Sequence, residues 1–158
     1  MYEEKELDLK NDFDVKSLKD LVKDELKVDL DTEEQIFNAA KSNGLKIKKD
    51  WGWGKVLLEL FEEHVEKKLW KPTFVKDYPY EVSPLSRRKD SDKNYTDRIE
   101  LFIAGREFAN FFCELNDPTD QEERFTQQVK QKKSGKVWSE EIPRARNPVL
   151  AIIFFASV

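Results

Sequence analysis

"RIELFIAGREFANFFCELNDP", residues 98–118, is the stretch whose reading decides the fold. It presents two apolar, β-forming segments around Gly105, yet Glu100, Glu107 and Glu114 interrupt them at seven-residue intervals, with Asn110 between the last two. The pattern predicts a hairpin. With Ala104 and Gly105 as a two-residue turn, Phe102 pairs with Glu107 and Glu100 with Ala109. Side chains alternate with period two, so Glu100 and Glu107 then project from one sheet face.

Two carboxylates so close repel each other unless a cation sits between them, and Mg²⁺ held with phosphate oxygens is the usual guest. Asn110, Phe112 and Glu114 share a face as well, but a regular ladder puts it opposite Glu107. A β-bulge between Glu107 and Asn110 would bring all five residues onto one surface. Without the bulge, one of the two sets simply faces solvent.

Working outward, "PTFVKDYPYEVSPL" carries β-formers between prolines and predicts a strand near Thr73 to Asp77 with an irregular continuation. "RRKDSDKNYTD" reads as a polar loop. Before Pro72, the first proline, the pattern is mostly helical. Asp14 is placed as an N-cap ahead of Val15, Leu18, Leu21, Val22 and Leu26. A Thr32/Gln35 capping box opens the next helix and Gly44 closes it. "LKIKK" fits a short strand or a loop. Leu57, Leu60, Phe61 and His64 form a stripe that predicts a helix from about Gly54 to Leu69. After the hairpin, Asp117 caps a last helix with Pro118 at its first position.

The composition narrows the function classes. The chain has 158 residues, room for one domain. Its 28 basic and 32 acidic residues give a formal net charge of −4, which argues against a broad phosphate-neutralising surface. Cys113 is the only cysteine, so neither an internal disulfide nor a paired-cysteine metal site can form. "MYEEKELDLK" has no apolar run of a signal peptide, and "VLAIIFFASV" is too short to span a bilayer. A cytoplasmic chain without membrane contact is expected. His64, the sole histidine, sits on the edge of an apolar stripe and reads as a packing residue. No glycine-rich phosphate loop and no HExxH occur. The glutamates are what remains.

"RIELFIAGREFANFFCELNDPTDQEERF", with "KPTFVKDYPYEVSPLSRR" upstream, closely resembles the catalytic domain of bacterial-type class II lysyl-tRNA synthetases. The resemblance covers roughly residues 6–135. It implies an α/β (α+β) chain with a helical insertion of about three helices, then an antiparallel sheet fragment and a closing helix. It implies ATP-dependent activation of lysine and its transfer to tRNA in a homodimeric parent enzyme. By position, Glu100 and Glu107 match the glutamates that hold Mg²⁺ against ATP. Asn110, Phe112 and Glu114 match the lysine pocket, with Glu114 taking the substrate's ε-ammonium. No residue here is assigned a catalytic role.

The departures from the family shape the expectation too. The resemblance begins after the family's dimer-forming motif and its arginine-bearing strand pair, and the late arginine motif has no counterpart. Phe111 stands where the family usually carries a small residue. Residues 1–135 are therefore expected to be a partial catalytic domain, and 136–158 a tail unlike the family whose apolar run, Val149 to Phe155, packs as a surrogate strand. Such a chain is expected not to complete lysine–tRNA ligation alone. The alternatives are a non-catalytic paralogue that binds lysine or pairs with a synthetase subunit, and a gene remnant.

Overall fold

A computed structural model describes residues 7–113. In chain order the elements are β1 (Asp14–Ser17), α1 (Leu18–Leu26), α2 (Glu33–Ser42), α3 (Trp53–His64), a 3-10 turn (Glu66–Lys68), β2 (Thr73–Pro79), a second 3-10 turn (Tyr80–Val82), β3 (Tyr95–Ile103) and β4 (Arg106–Phe112). The four strands form one sheet in the order β1-β2-β3-β4. β1 runs parallel to β2, while β2–β3 and β3–β4 are antiparallel. The expected α/β (α+β) chain with three helices is what folds, and the expected closing helix and tail lie outside the described residues.

The beginning of the chain differs from its reading. Asp14 starts a strand rather than capping a helix. Its N–H donates to Pro72 O at 3.1 Å, and it stands opposite Thr73 in the parallel pair. The cap is Ser17, whose Oγ accepts from Asp20 N at 3.0 Å. A strand this short is recruited by its neighbour, which local spacing does not reveal. Leu18, Leu21 and Val22 do form the buried stripe of α1, but Val15 is exposed on the strand.

α2 opens as read. Thr32 Oγ1 accepts from Gln35 N at 3.2 Å, and Gln35 Oε1 accepts from Thr32 N at 3.0 Å. "LKIKK" is a loop. α3 stops at His64, shorter than expected, because the chain tightens into the 3-10 turn before it reaches Leu69.

Helix α3 begins at "WGWG" for a reason of space. Glu81 reaches across and its Oε2 accepts from Gly54 N at 2.9 Å, capping the helix from outside its own chain segment. A Cβ on Gly54 would lie 2.7 Å from Pro79 Cβ. The glycines let the strand end and the helix start approach each other.

The core lies between the helices and one sheet face. Leu18, Val22, Val56, Leu57, Leu60 and Phe61 pack with Val75, Tyr78 and Phe102. Phe61 meets Phe102 edge-on, with ring centroids 5.5 Å apart. Each such side chain contributes about 1.5–3 kcal/mol when fully buried. The opposite sheet face is more open, with Ile99 38% exposed.

Candidate functional site

The hairpin turns at Ala104 and Gly105, both left-handed with φ of 53° and 69°. Gly105 is required there, because a Cβ would also lie 2.8 Å from Lys67 O. Ala104 N and Gly105 N donate to Trp70 O and Leu69 O at 3.0 and 2.9 Å, which fastens the turn to the end of the helical segment.

From this turn the ladder starts in the expected register, Ile103 opposite Arg106 and Phe102 opposite Glu107. It then shifts. Leu101 stands opposite Ala109 and Glu100 opposite Asn110, which leaves Phe108 as the extra residue of a bulge on β4. The bulge lies in the interval between Glu107 and Asn110 where the site needs it. It turns Ala109 to the far face and brings Asn110 and Phe112 to the face of Glu100, with Phe112 opposite Arg98. The regular pairing of Glu100 with Ala109 does not form. Phe111 falls opposite Ile99, on the other face, so its bulk does not enter the side occupied by Asn110.

A connected polar network results. Asn110 Nδ2 donates to Glu100 Oε1 at 3.0 Å, and Glu107 lies near enough to feel both the Asn110 amide and the Glu100 charge. Tyr78 Oη donates to Glu100 Oε2 at 2.6 Å. Arg98 pairs with Glu100 Oε1, and its Nε donates to Asn110 Oδ1 at 3.3 Å. Glu100 is only 5% exposed, so each of these partners offsets the cost of taking its charge out of water.

Arg98 and Tyr78 were not among the residues singled out from the sequence. The pairing of carboxylates pointed to a cation, and the cation present between Glu100 and Asn110 is the Arg98 guanidinium. An arginine two residues before a strand carboxylate shares its face, and that alternation was the available signal.

Charge accumulates where the network ends. Burial, and then the negative charge of Glu100, push the Glu107 carboxyl up to about 7, against the weaker pull of Arg98 and the Asn110 amide. Burial and Glu100 likewise hold the Tyr78 phenol proton well above its usual range. A second positive charge arriving beside Glu107 would relieve this repulsion.

The donor set suits a hard divalent ion that brings phosphate oxygens with it. Glu107 sits beside Glu100 on the same face, and among the described residues Glu100 Oε2 has one protein donor, Tyr78 Oη, where a carboxylate oxygen can take two. Among the described residues no group of three or more metal-ligating side chains exists, so the protein alone does not build a closed cage. Mg²⁺ held by one or two carboxylates and completed by a substrate fits that arrangement. Glu114 lies outside the described residues.

A recess where β1 ends and β3 begins is lined by Lys19, Lys76, Lys89 and Asp77, among others. Its lysines are already engaged. Lys19 meets Asp31 at 3.2 Å, and Lys76 and Lys89 both pair with Asp77. It reads as salt-bridged surface. His64 closes α3, and its Nε2 is buried without a hydrogen-bond partner among the described residues.

Comparison with known proteins decides the lineage. The profile of the family described as tRNA synthetases class II (D, K and N) matches residues 2–143. The chain belongs to this family. A relative from Psychromonas ingrahamii named "Lysine--tRNA ligase" is 60% identical over 97 residues, 61% of this chain and 19% of the relative. One of the same name from Pectobacterium carotovorum is 53% identical over 107 residues, 68% of this chain and 21% of the relative. Another, from Staphylococcus haemolyticus, is 43% identical over 137 residues, 85% of this chain and 28% of the relative. The chain thus spans about a fifth to just over a quarter of the length of these family members. No helix among the described residues is long and apolar enough to cross a membrane.

Proposed function

We propose that this chain carries the ATP-side carboxylates and the lysine pocket of a class II lysine–tRNA ligase. Glu100 and Glu107 take Mg²⁺ against ATP phosphate oxygens. Asn110, Phe112 and Glu114 receive lysine, with the Glu114 carboxylate on the ε-ammonium. The whole enzyme, on this reading, joins lysine to ATP as lysyl-adenylate and then transfers lysine to its tRNA. It works as a homodimer in the cytoplasm. Residues 1–135 supply the synthetase segment, and the tail, 136–158, shares the family match only as far as residue 143.

The observation that carries this reading is the bulge at Phe108. It supports a shared site by putting Glu100 opposite Asn110 while Glu107, opposite Phe102, stays on the face of Glu100. The names of the relatives favour lysine among the three amino acids of the family. Glu114 enters through its position in the sequence. The chemistry agrees with a cationic substrate, because a charged hydrogen bond left unmade in a desolvated pocket costs on the order of 2–5 kcal/mol.

Calorimetric titration of the full chain with L-lysine and with L-norleucine tests the reading. L-lysine is expected to bind and L-norleucine, which has the same carbon chain without the ammonium, is not. Glu114→Gln should weaken lysine by at least about tenfold. Equal affinity for the two amino acids would reject the lysine pocket.

A further inference from the structure

Arg98 is given no ligand above, yet each of the three guanidinium nitrogens has a partner. One terminal nitrogen donates to Val82 O and Ser83 Oγ at 3.3 and 3.2 Å, and the other pairs with Glu100 Oε1. Nε faces Asn110 Oδ1 at 3.3 Å. The carbon centre of the fork lies 4.7 Å from the middle of the Tyr78 ring. The Arg98 and Glu100 side chains are 15% and 7% exposed, so this is an interior ion pair rather than a surface one.

We propose that Arg98 is a positioning residue, which fixes the polarity of the Asn110 amide and the orientation of the Glu100 carboxylate and thereby shapes the lysine and Mg²⁺–ATP subsites. What those subsites bind rests on the reading given under Proposed function; that Arg98 orients them does not.

Donors and acceptors decide the orientation. A guanidinium has five N–H donors and no acceptor, and an ionised carboxylate accepts only. Asn110 sits between the two kinds. Its oxygen alone can face Arg98, which turns its Nδ2 group toward the carboxylates, 3.0 Å from Glu100 Oε1. The reversed amide would set two donors against the guanidinium and an acceptor against two carboxylates. Lysine in place of Arg98 could still neutralise Glu100. A single ammonium, however, cannot reach Glu100, Asn110, Val82 and Ser83 together. The Tyr78 ring and the turn at Val82–Ser83 hold the fork in place, so the strand, the turn and the site are tied at one side chain. Partners that orient ligating groups in this way commonly change affinity by about 10–100-fold when altered.

The test compares the full wild-type chain with Arg98→Lys, Asn110→Ala and the double variant, each first checked for a cooperative thermal transition and native circular dichroism. Arg98→Lys should weaken L-lysine about tenfold or more, and in the Asn110→Ala background it should add little, because Arg98 acts through that amide. Unchanged affinity, or losses that add in full, would overturn the proposal. If the wild-type chain binds no lysine, the functional reading fails, and the Asn110 side-chain NH₂ resonances decide the role of Arg98 by themselves. They should be dispersed in the wild type and collapse toward free-asparagine positions in Arg98→Lys; identical resonances would reject the role. If Arg98→Lys does not fold, the wild type still answers. Its Arg98 Nε proton should exchange slowly with water, and fast exchange typical of a solvated arginine would contradict the proposal.

Discussion

Asn110 Nδ2 lies 3.0 Å from Glu100 Oε1, and the two residues face each other across β3 and β4 only because Phe108 is an extra residue in the second strand. Take the bulge away and Asn110 moves to the opposite face. A single inserted position therefore decides whether the hairpin carries one site or two unrelated surfaces.

The network should make stability depend on pH through Glu107. Its carboxyl is raised to about 7 in the folded chain from an ordinary value of 4.5, so between these values the folded state holds a proton that the unfolded state has lost. Stability therefore falls as pH rises through that window. Urea midpoints taken from about pH 5 to about pH 8 should decline in the wild type and flatten in Glu107→Gln. A midpoint that rises over this range would show that Glu107 is ionised throughout.

Tyr78→Phe removes the hydroxyl that donates to Glu100 Oε2 at 2.6 Å and leaves a buried charge with one partner fewer. A loss of about 1.5–3 kcal/mol in unfolding free energy is expected, the range for hydrogen bonds to charged groups. A loss below about 0.5 kcal/mol would mean that the bond contributes no more than a solvated one.

The turn allows opposite outcomes at neighbouring positions. Ala104 has φ of 53°, a conformation in which a Cβ is strained, so Ala104→Gly should stabilise by about 0.5–1 kcal/mol after the added freedom of the unfolded chain is counted. Gly105→Ala should destabilise by more than that, because φ is 69° and the new Cβ would meet Lys67 O. Thermal melts of both variants check the pair, and loss of stability in Ala104→Gly would refute the turn geometry.

Gly54→Ala should destabilise the chain by about 1–3 kcal/mol although alanine is the better helix former, because the close approach to Pro79 outweighs the gain of about 1 kcal/mol in propensity. Denaturant melts give the sign, and a stabilised variant would show that the strand end can move away.

Much of this was legible in the sequence, residue by residue. The Thr32/Gln35 box, the turn at Gly105 and the stripe of α3 depend on neighbours within a few positions, and local pattern reports them. The parallel strand at Asp14 depends on Thr73, some sixty residues later, and pattern alone gave a helix cap instead. The same holds for Glu81, which caps α3 from beyond Pro79. In the site, a shared face for the glutamates and Asn110 required a bulge that the spacing alone left open, and the ladder has one. Arg98 stayed hidden because its role comes from four partners on three segments, and a strand arginine seen alone looks like a solvated charge.

On the proposed reading, Glu100, Glu107 and Asn110 form one cation-dependent nucleotide site. Titrating the isotope-labelled chain with ATP and Mn²⁺ in place of Mg²⁺ tests it most directly, since Mn²⁺ takes the same oxygen ligands and its unpaired electrons broaden nearby resonances. Signals of Glu100, Glu107 and the Asn110 side chain should fade first, and Glu107→Gln should abolish the effect. Broadening centred on the recess of Lys19, Lys76 and Asp77, or fading that persists unchanged in Glu107→Gln, would contradict it.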